Sequence, residues 1–252
     1  MLQETYLSVI IPAYNEEKRL PKTLEEIDKY LSRQSFDYEI IVCSGGSTDE
    51  TVEVVEGLRP KIKNLKIIAK KENYGKGYSV REGLSAAQGE LRIFTDADNS
   101  TSIDQVEKMF PYFKEACPEP AEGGYDIVIG SRDIKGAVLD LPQPWLRQVF
   151  LGEGFKLYRK IVLGLWGIED TQCGFKGFTK RAVENIFPKC KINGFSFDPE
   201  ILIIAKKLGY KIKEIPIAWK NDLDSKVNFK SIIKMAIDMI KIRLNLIKGL
   251  YD

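Results

Sequence analysis

Along the first half of the chain, short apolar runs alternate with amphipathic stretches. The runs Leu7–Ile11, Glu39–Cys43, Leu65–Ala69, Leu91–Thr95 and Ile127–Ile129 have strand length and strand composition. Between them, Leu20–Leu31, Asp49–Leu58, Gly77–Ala87 and Ile103–Phe113 carry apolar residues at helical spacing. This βαβα rhythm predicts an α/β fold with a mostly parallel central sheet and helices on both faces. In such sheets, ligands sit beyond the carboxyl ends of the strands. Polar clusters fall at those ends: Ala13–Glu17, Ser44–Asp49, Asp96–Ser100 and Ser131–Arg132. Four clusters on one expected edge form a stronger signal than any one of them.

The second half is less regular. Pro118–Gly124 and Gly136–Pro144 read as loops, because their glycines and prolines break a helix. A helix is expected from Trp145 to about Gly164, and a strand over Lys211–Ile217. From Phe229 to Leu250, Ile232, Ile233, Ala236, Ile237, Ile240, Leu244 and Ile247 recur at helical spacing. Lys226, Lys230, Lys234, Lys241, Arg243 and Lys248 stand there against Asp238 alone. Such a basic amphipathic helix suits an anionic membrane surface. It equally suits packing on the core with a solvated basic face. The expected division is therefore one domain over residues 1–225 and a basic helix over 226–252.

Composition changes the picture mainly by exclusion. Among 252 residues, 38 Lys and Arg against 36 Asp and Glu leave a net +2, which gives no case for nucleic-acid binding. There is no histidine, so Ser-His-Asp or Cys-His catalysis and a histidine base are excluded. Cys43, Cys117, Cys173 and Cys190 lack CxxC spacing, so no zinc site is expected and free thiols in a reducing cytosol are. No apolar stretch reaches the roughly 18 residues that a bilayer requires, and the N-terminus lacks the basic start of a signal peptide. The chain is expected to be cytoplasmic, soluble or peripheral on a membrane.

The candidate chemistry lies in the polar clusters. Asp96 and Asp98 follow an apolar run, and two carboxylates there can converge on one divalent cation such as Mg²⁺ or Mn²⁺. A bare DxD is also a common Asx turn capping a following helix. The Ser44–Asp49 segment opens a helix, where glycines allow close approach of an anion, or where Ser47 or Thr48 simply caps the helix. It is neither a P-loop nor a dinucleotide fingerprint. Lys76, between two glycines, reads equally as a phosphate ligand or a solvated lysine. Arg132 and Arg147 are candidate phosphate forks.

Together the segments VIIPAYNEEKRL, GGSTDET, ENYGKG, FTDAD and IGSRD resemble, in order, the family 2 glycosyltransferases. The segments GIEDTQCGFKGFTKRA, FSFDPEIL, IKEIPIAW and DSKV are similar to the dolichyl-phosphate β-glucosyltransferase and polyprenyl-phosphate hexose synthase branch. The resemblance covers nearly the whole chain and implies a GT-A fold. It implies that Pro12, Ala13, Tyr14 and Glu16 line a nucleotide pocket, with Ser44 and Lys76 beside the donor. It implies Asp96 and Asp98 as metal and diphosphate ligands. Arg132, Arg147 and Lys226 would bind donor or acceptor phosphates, and Asp170 and Gln172 would flank the acceptor. The family usually has Asp-Asp-Gly-Ser after the second strand, one carboxylate of which contacts the base; here those two positions are Ser44 and Gly45.

The implied partners are a nucleotide-sugar donor, a polyprenyl or dolichyl phosphate acceptor and the cytosolic face of a membrane. A hydroxyl acceptor would demand a general base. A lipid monophosphate, with a second pKa of about 6, is already largely dianionic near neutrality. The expected reaction is inverting transfer of a hexose, glucose from UDP-glucose, by direct displacement. The alternatives are GDP-mannose as donor, a glycan hydroxyl as acceptor, or a degenerate nucleotide-sugar-binding module.

Overall fold

The computed structural model describes residues 5–113, 124–140, 154–220 and 229–252. Arg147, Lys226 and Cys117 lie outside the described residues, as do most of Pro118–Gly124 and the first part of the helix expected from Trp145. Among the described residues the sheet runs in the order β3 (Leu65–Lys70), β2 (Tyr38–Gly45), β1 (Leu7–Ala13), β4 (Leu91–Phe94), β7 (Lys176–Thr179), β5 (Ile127–Ser131), β8 (Ile212–Pro216). All neighbours pair parallel except β7, which is antiparallel to both β4 and β5.

The helices are α1 (Leu20–Leu31), α2 (Thr51–Leu58), α3 (Lys76–Ala86), α4 (Gly154–Leu163), α5 (Lys180–Ile186), α6 (Phe197–Lys207) and α7 (Phe229–Ile247). The period of two along each strand sorts the core into two layers. Ile10, Ile41, Phe94, Ile129 and Phe178 face α3, α5, α6 and α7. Val9, Ile11, Val42, Ile93 and Val128 face the other side, against α1 and the segment Ile103–Phe113. Because both faces are covered, β1 and β2 are buried throughout and read as near-continuous apolar runs, interrupted only by Ser8, Glu39 and Ser44. Gly83 lets α3 lie close on the sheet, since a Cβ there would sit 2.5 Å from Ile10 and 2.6 Å from the Cys43 thiol.

Three expectations need correction. Ile103–Phe113 is not an α-helix but two 3₁₀ turns, Ile103–Lys108 and Phe110–Tyr112. Pro111 has no N–H to continue a helical ladder, and the shorter turns still bury Ile103, Val106 and Met109. Val138–Leu139, within a segment read as loop, is a short strand, β6, paired in parallel with β9 (Ala218–Trp219). The α2 start is capped neither by Ser47 nor by Thr48: the Asp49 carboxylate accepts the Thr51 amide (3.1 Å).

α7 is apolar on two opposite sides. Met235, Met239 and Ile242 are buried against the domain. Ile233, Ile237, Ile240, Leu244 and Ile247 recur on the opposite side, 47–68% exposed. α7 touches α4 side by side, with the Tyr158 hydroxyl donating to the Ala236 carbonyl (2.9 Å). The inner residues Leu163, Met239 and Ile242 belong to one core layer, so the two outer faces point the same way. On α4 that outer face shows Leu157 and Ile161. Among the described residues, no helix is long and apolar enough to cross a membrane.

Candidate active site

Parallel strands bring their carboxyl ends to one edge, and antiparallel β7 delivers the preceding residues, Asp170–Phe175, to that same edge. The first two loops are knitted together there. Ala13 is level with Ser44 across β1 and β2. Asn15, held in the left-handed region at φ 54°, accepts the Thr48 amide (2.8 Å) while its own amide donates to the Ser47 hydroxyl (3.1 Å). Ser44 is buried and donates to Ser47 (2.9 Å). Pro12 and Ala13 are buried, and Tyr14 stands partly exposed above them. Glu16 is buried; its amide donates to the Thr51 hydroxyl (2.8 Å) and its carboxylate pairs with Arg19 (2.8 Å). Glu16 thus braces the loop onto α2. At Gly45, an added Cβ would lie 2.8 Å from the Ser79 hydroxyl, so α3 fills the space that an acidic side chain would need.

Asp96 and Asp98 follow β4. The Lys76 ammonium, at the start of α3, meets Asp96 at 2.5 Å. It is therefore a paired lysine and not a solvated one. Burial opposes its charge, but Asp96 and Asp198 hold its pKa above the ordinary lysine value. Asp98 accepts the Ser100 amide (2.9 Å), so the Asx turn forms as well. Burial, then the charge of Asp96, pushes the Asp98 carboxyl above its usual range. Gly174 lies directly against the Asp96 carboxylate, leaving no room for a Cβ.

Asp170 and Arg132 form the other half of the site. Arg132 donates to Asp170 through Nε (2.7 Å), Nη2 (3.0 Å) and its backbone amide (3.2 Å). The Gln172 amide donates to the same carboxylate (3.0 Å). Burial raises the Asp170 pKa, but the charge and hydrogen bonds of Arg132 outweigh it and bring it from 3.8 to about 2. The Arg132 guanidinium lies 5.3 Å from the Trp219 ring centre. The Gln172 side-chain nitrogen is buried without a hydrogen-bond partner. Five residues of chain, Asp170 to Gly174, thus join the Arg132 side to the Asp96 side.

Beneath both halves, Lys176 on β7 pairs with Asp198 at the start of α6 (2.6 Å), both buried, the lysine completely. The Lys176 ammonium also donates to the Cys173 carbonyl and lies 5.4 Å from the Phe94 ring centre. Cys43 and Cys173 are buried free thiols, and burial raises both to about 12. Neither is a nucleophile in this fold.

Among the described residues, no three His, Cys, Asp or Glu side chains stand close enough to hold a metal by themselves. Two hard oxygen donors at one strand end, with Asp98 strained by its neighbour's charge, nevertheless fit a hard cation whose remaining ligands come from a diphosphate. Sequence reasoning brought Asp96, Asp98, Lys76, Arg132, Asp170 and Gln172 to this edge. It did not single out Gly174, Lys176, Asp198, Glu214 or Trp219, although each lies within or beside one of the segments that carried the resemblance.

An edge with a DxD pair on one side, an arginine–carboxylate pair on the other and this sheet order defines a nucleotide-sugar transferase class, the GT-A fold. Residues 8–187 match the description of glycosyl transferase family 2, and the chain belongs to that family of enzymes. It is 42% identical over 246 residues to a dolichyl-phosphate beta-glucosyltransferase of Trichomonas vaginalis, covering 95% of this chain and 73% of that one. It is 34% identical over 252 residues to the dolichyl-phosphate beta-glucosyltransferase of Homo sapiens, covering 96% and 76%. Among solved structures, mannosyl-3-phosphoglycerate synthase from Rubrobacter xylanophilus shares the fold with a TM-score of 0.69 at 15% identity, over 97% of this chain and 75% of that one. Glucosyl-3-phosphoglycerate synthase from Mycobacterium tuberculosis, solved with Mn²⁺, uridine diphosphate and glucosyl-3-phosphoglycerate, gives 0.63 at 17%, over 96% and 79%.

Two outcomes are expected. Lys176→Met leaves Asp198 buried and unpaired, and lowers unfolding stability by about 3–5 kcal/mol in chemical denaturation. Adding Asp198→Leu recovers most of that; a loss below about 1 kcal/mol in the single variant contradicts the role given to the pair. Because the Asp170 pKa is depressed, its stabilising contribution is present above the ordinary value of 3.8 and is lost as pH falls toward about 2. The stability gap between wild type and Asp170→Asn, on the order of 2 kcal/mol near neutrality, therefore narrows between pH 4 and pH 2.5 in urea titrations.

Proposed function

We propose that the protein transfers glucose from UDP-glucose to a dolichyl or polyprenyl phosphate, inverting the anomeric centre, at the cytosolic face of a membrane. The observation that carries the reading is the match to dolichyl-phosphate beta-glucosyltransferases across at least 95% of the chain. The chemistry of the site supports it. A hydroxyl acceptor needs a base poised near the operating pH. Asp170, the carboxylate on the acceptor side, is held at about 2 by Arg132 and is a poor base. A dianionic phosphate supplies its own nucleophilic oxygen and needs orientation and charge screening instead. Arg132, fixed by Asp170 and Trp219, provides a directional cation for it, and Arg147 and Lys226 are proposed to add to that charge.

On the donor side, Tyr14 and Ser44 border the nucleoside, and Lys76 screens the diphosphate. A divalent cation, Mg²⁺ or Mn²⁺, would be held by Asp96 and Asp98, where it neutralises charge on the departing diphosphate when bound. Lys76 keeps Asp96 paired before the donor arrives, so the carboxylates are not left with unbalanced charge.

The acceptor's lipid tail places the reaction at a bilayer. The outer face of α7 meets that demand, with its apolar row flanked by Lys230, Lys234, Lys241 and Lys248. Residues 226–252 in this reading form the membrane-facing element of the enzyme, with α4 beside it.

Asp98→Ala is expected to abolish transfer of labelled glucose into an organic-soluble product while the circular dichroism spectrum stays that of wild type. Undiminished transfer removes Asp98 from the site. Separately, full-length Ile237→Glu/Ile240→Glu/Leu244→Glu is expected to lose flotation with vesicles containing about 30% anionic lipid, because each buried charge opposes the apolar contact. Flotation equal to wild type rejects α7 as the membrane face.

A further inference from the structure

We propose that Arg159 is a positioning residue for the acceptor side, tying the membrane-facing helix α4 to the loop that carries Asp170. The proposal rests on the acceptor-side reading of Asp170 given above. Arg159 lies on the inner face of α4, 2% exposed, opposite the outward Leu157 and Ile161. An apolar side chain would pack that position more cheaply, because burying a guanidinium costs several kcal/mol. Burial indeed lowers its pKa, against the nearby charges of Asp170, Glu169 and Glu214.

Its hydrogen bonds show what the position requires. Nη1 donates to the Thr171 hydroxyl (2.7 Å), and Nη2 donates to the carbonyls of Ile168 (3.0 Å) and Glu169 (3.2 Å). Nε is buried with no hydrogen-bond partner. All three bonds go to one four-residue stretch. From the opposite side, the Glu214 carboxylate on β8 accepts the amides of Glu169 (3.0 Å) and Asp170 (2.8 Å). A cation therefore holds the loop's carbonyls and an anion holds its amides. Between these two grips, Asp170 and Thr171 are left with a single arrangement, and Asp170 in turn orients Arg132.

The donor carboxylates follow β4, where Asp96 pairs with Lys76 and Asp98 accepts the Ser100 amide, and at the far end of the loop the Cys173 carbonyl before Gly174 is held separately by Lys176. Loosening Arg159 thus disturbs acceptor binding while the donor side stays in place. The linkage also gives α4 two tasks on opposite faces. The residues it shows outward belong to the proposed bilayer contact, and the residue it buries sets the acceptor loop.

The test uses full-length Thr171→Val, Thr171→Ser, Arg159→Lys and wild type. Thr171→Val removes only the hydroxyl that Arg159 grips, in a side chain of nearly the same shape. The expected result is an acceptor KM raised about tenfold, corresponding to about 1.4 kcal/mol, with the donor KM within about twofold of wild type. Thr171→Ser, which keeps the hydroxyl, restores the acceptor KM. Arg159→Lys, which keeps the charge and loses the fork, behaves like Thr171→Val. Hydrogen exchange is read alongside, with faster exchange expected at the amides of Glu169, Asp170 and Gln172 in Thr171→Val. Equal losses on both substrates, or unchanged exchange and unchanged acceptor KM, overturn the proposal. If wild type transfers nothing to a lipid phosphate, the acceptor reading fails, and the exchange result alone decides whether Arg159 positions this loop.

Discussion

Lys176 and Asp198 face each other 2.6 Å apart, the lysine fully buried and the carboxylate nearly so, and the site is assembled around them. One partner sits at the start of β7, the other in the first turn of α6, so the pair fixes the helix against the strand. The same ammonium reaches the Cys173 carbonyl, just before the glycine that abuts Asp96. The electrostatic influence of the same carboxylate reaches Lys76, which pairs with Asp96. Two cations and two carboxylates therefore alternate beneath the edge where the strands end. Burial raises Asp198 even with Lys176 and Lys76 pulling it down, which shows how little solvent relieves these charges. In such surroundings each member is stable only while the others are present.

A second constraint governs the chemistry. With no histidine in the chain, the acceptor-side carboxylate Asp170 is the candidate for a general base. Asp170 is instead locked to Arg132 and becomes part of a scaffold that aims a positive charge. The same pairing that disqualifies Asp170 as a base holds the Arg132 fork in one orientation, as the proposed role of anion ligand requires. Carboxylate and guanidinium are one device, and the device suits an acceptor that arrives already ionised.

The sheet was legible because buried parallel strands leave continuous apolar runs, as in Leu7–Ile11 and Glu39–Cys43. The polar clusters at their ends pointed to the right edge for the same reason. β7 was not legible: Lys-Gly-Phe-Thr is four residues long, begins with a charge and contains a glycine. Its antiparallel direction comes from tertiary pairing with β4 and β5, which no local pattern encodes. The helix read over Ile103–Phe113 failed because burying Ile103, Val106 and Met109 requires only spacing of three, which a 3₁₀ turn also supplies. Asp198 and Gly174 went unnoticed because their importance is a matter of proximity. A glycine is silent in sequence until a carboxylate is found against it.

α7 was balanced in the sequence between core packing and membrane contact, and its structure combines a packed face with an exposed apolar one. Its last turn is followed by Tyr251, which is fully buried and donates to Glu200 (2.7 Å). The helix is consequently not a detachable anchor. Shortening the chain to make the enzyme more soluble would uncover Met239 and Ile242 and leave Glu200 without its phenol. In the proposed membrane contact, adaptation to a different bilayer can therefore change only the outward row, one side chain at a time. The inner row stays answerable to the fold.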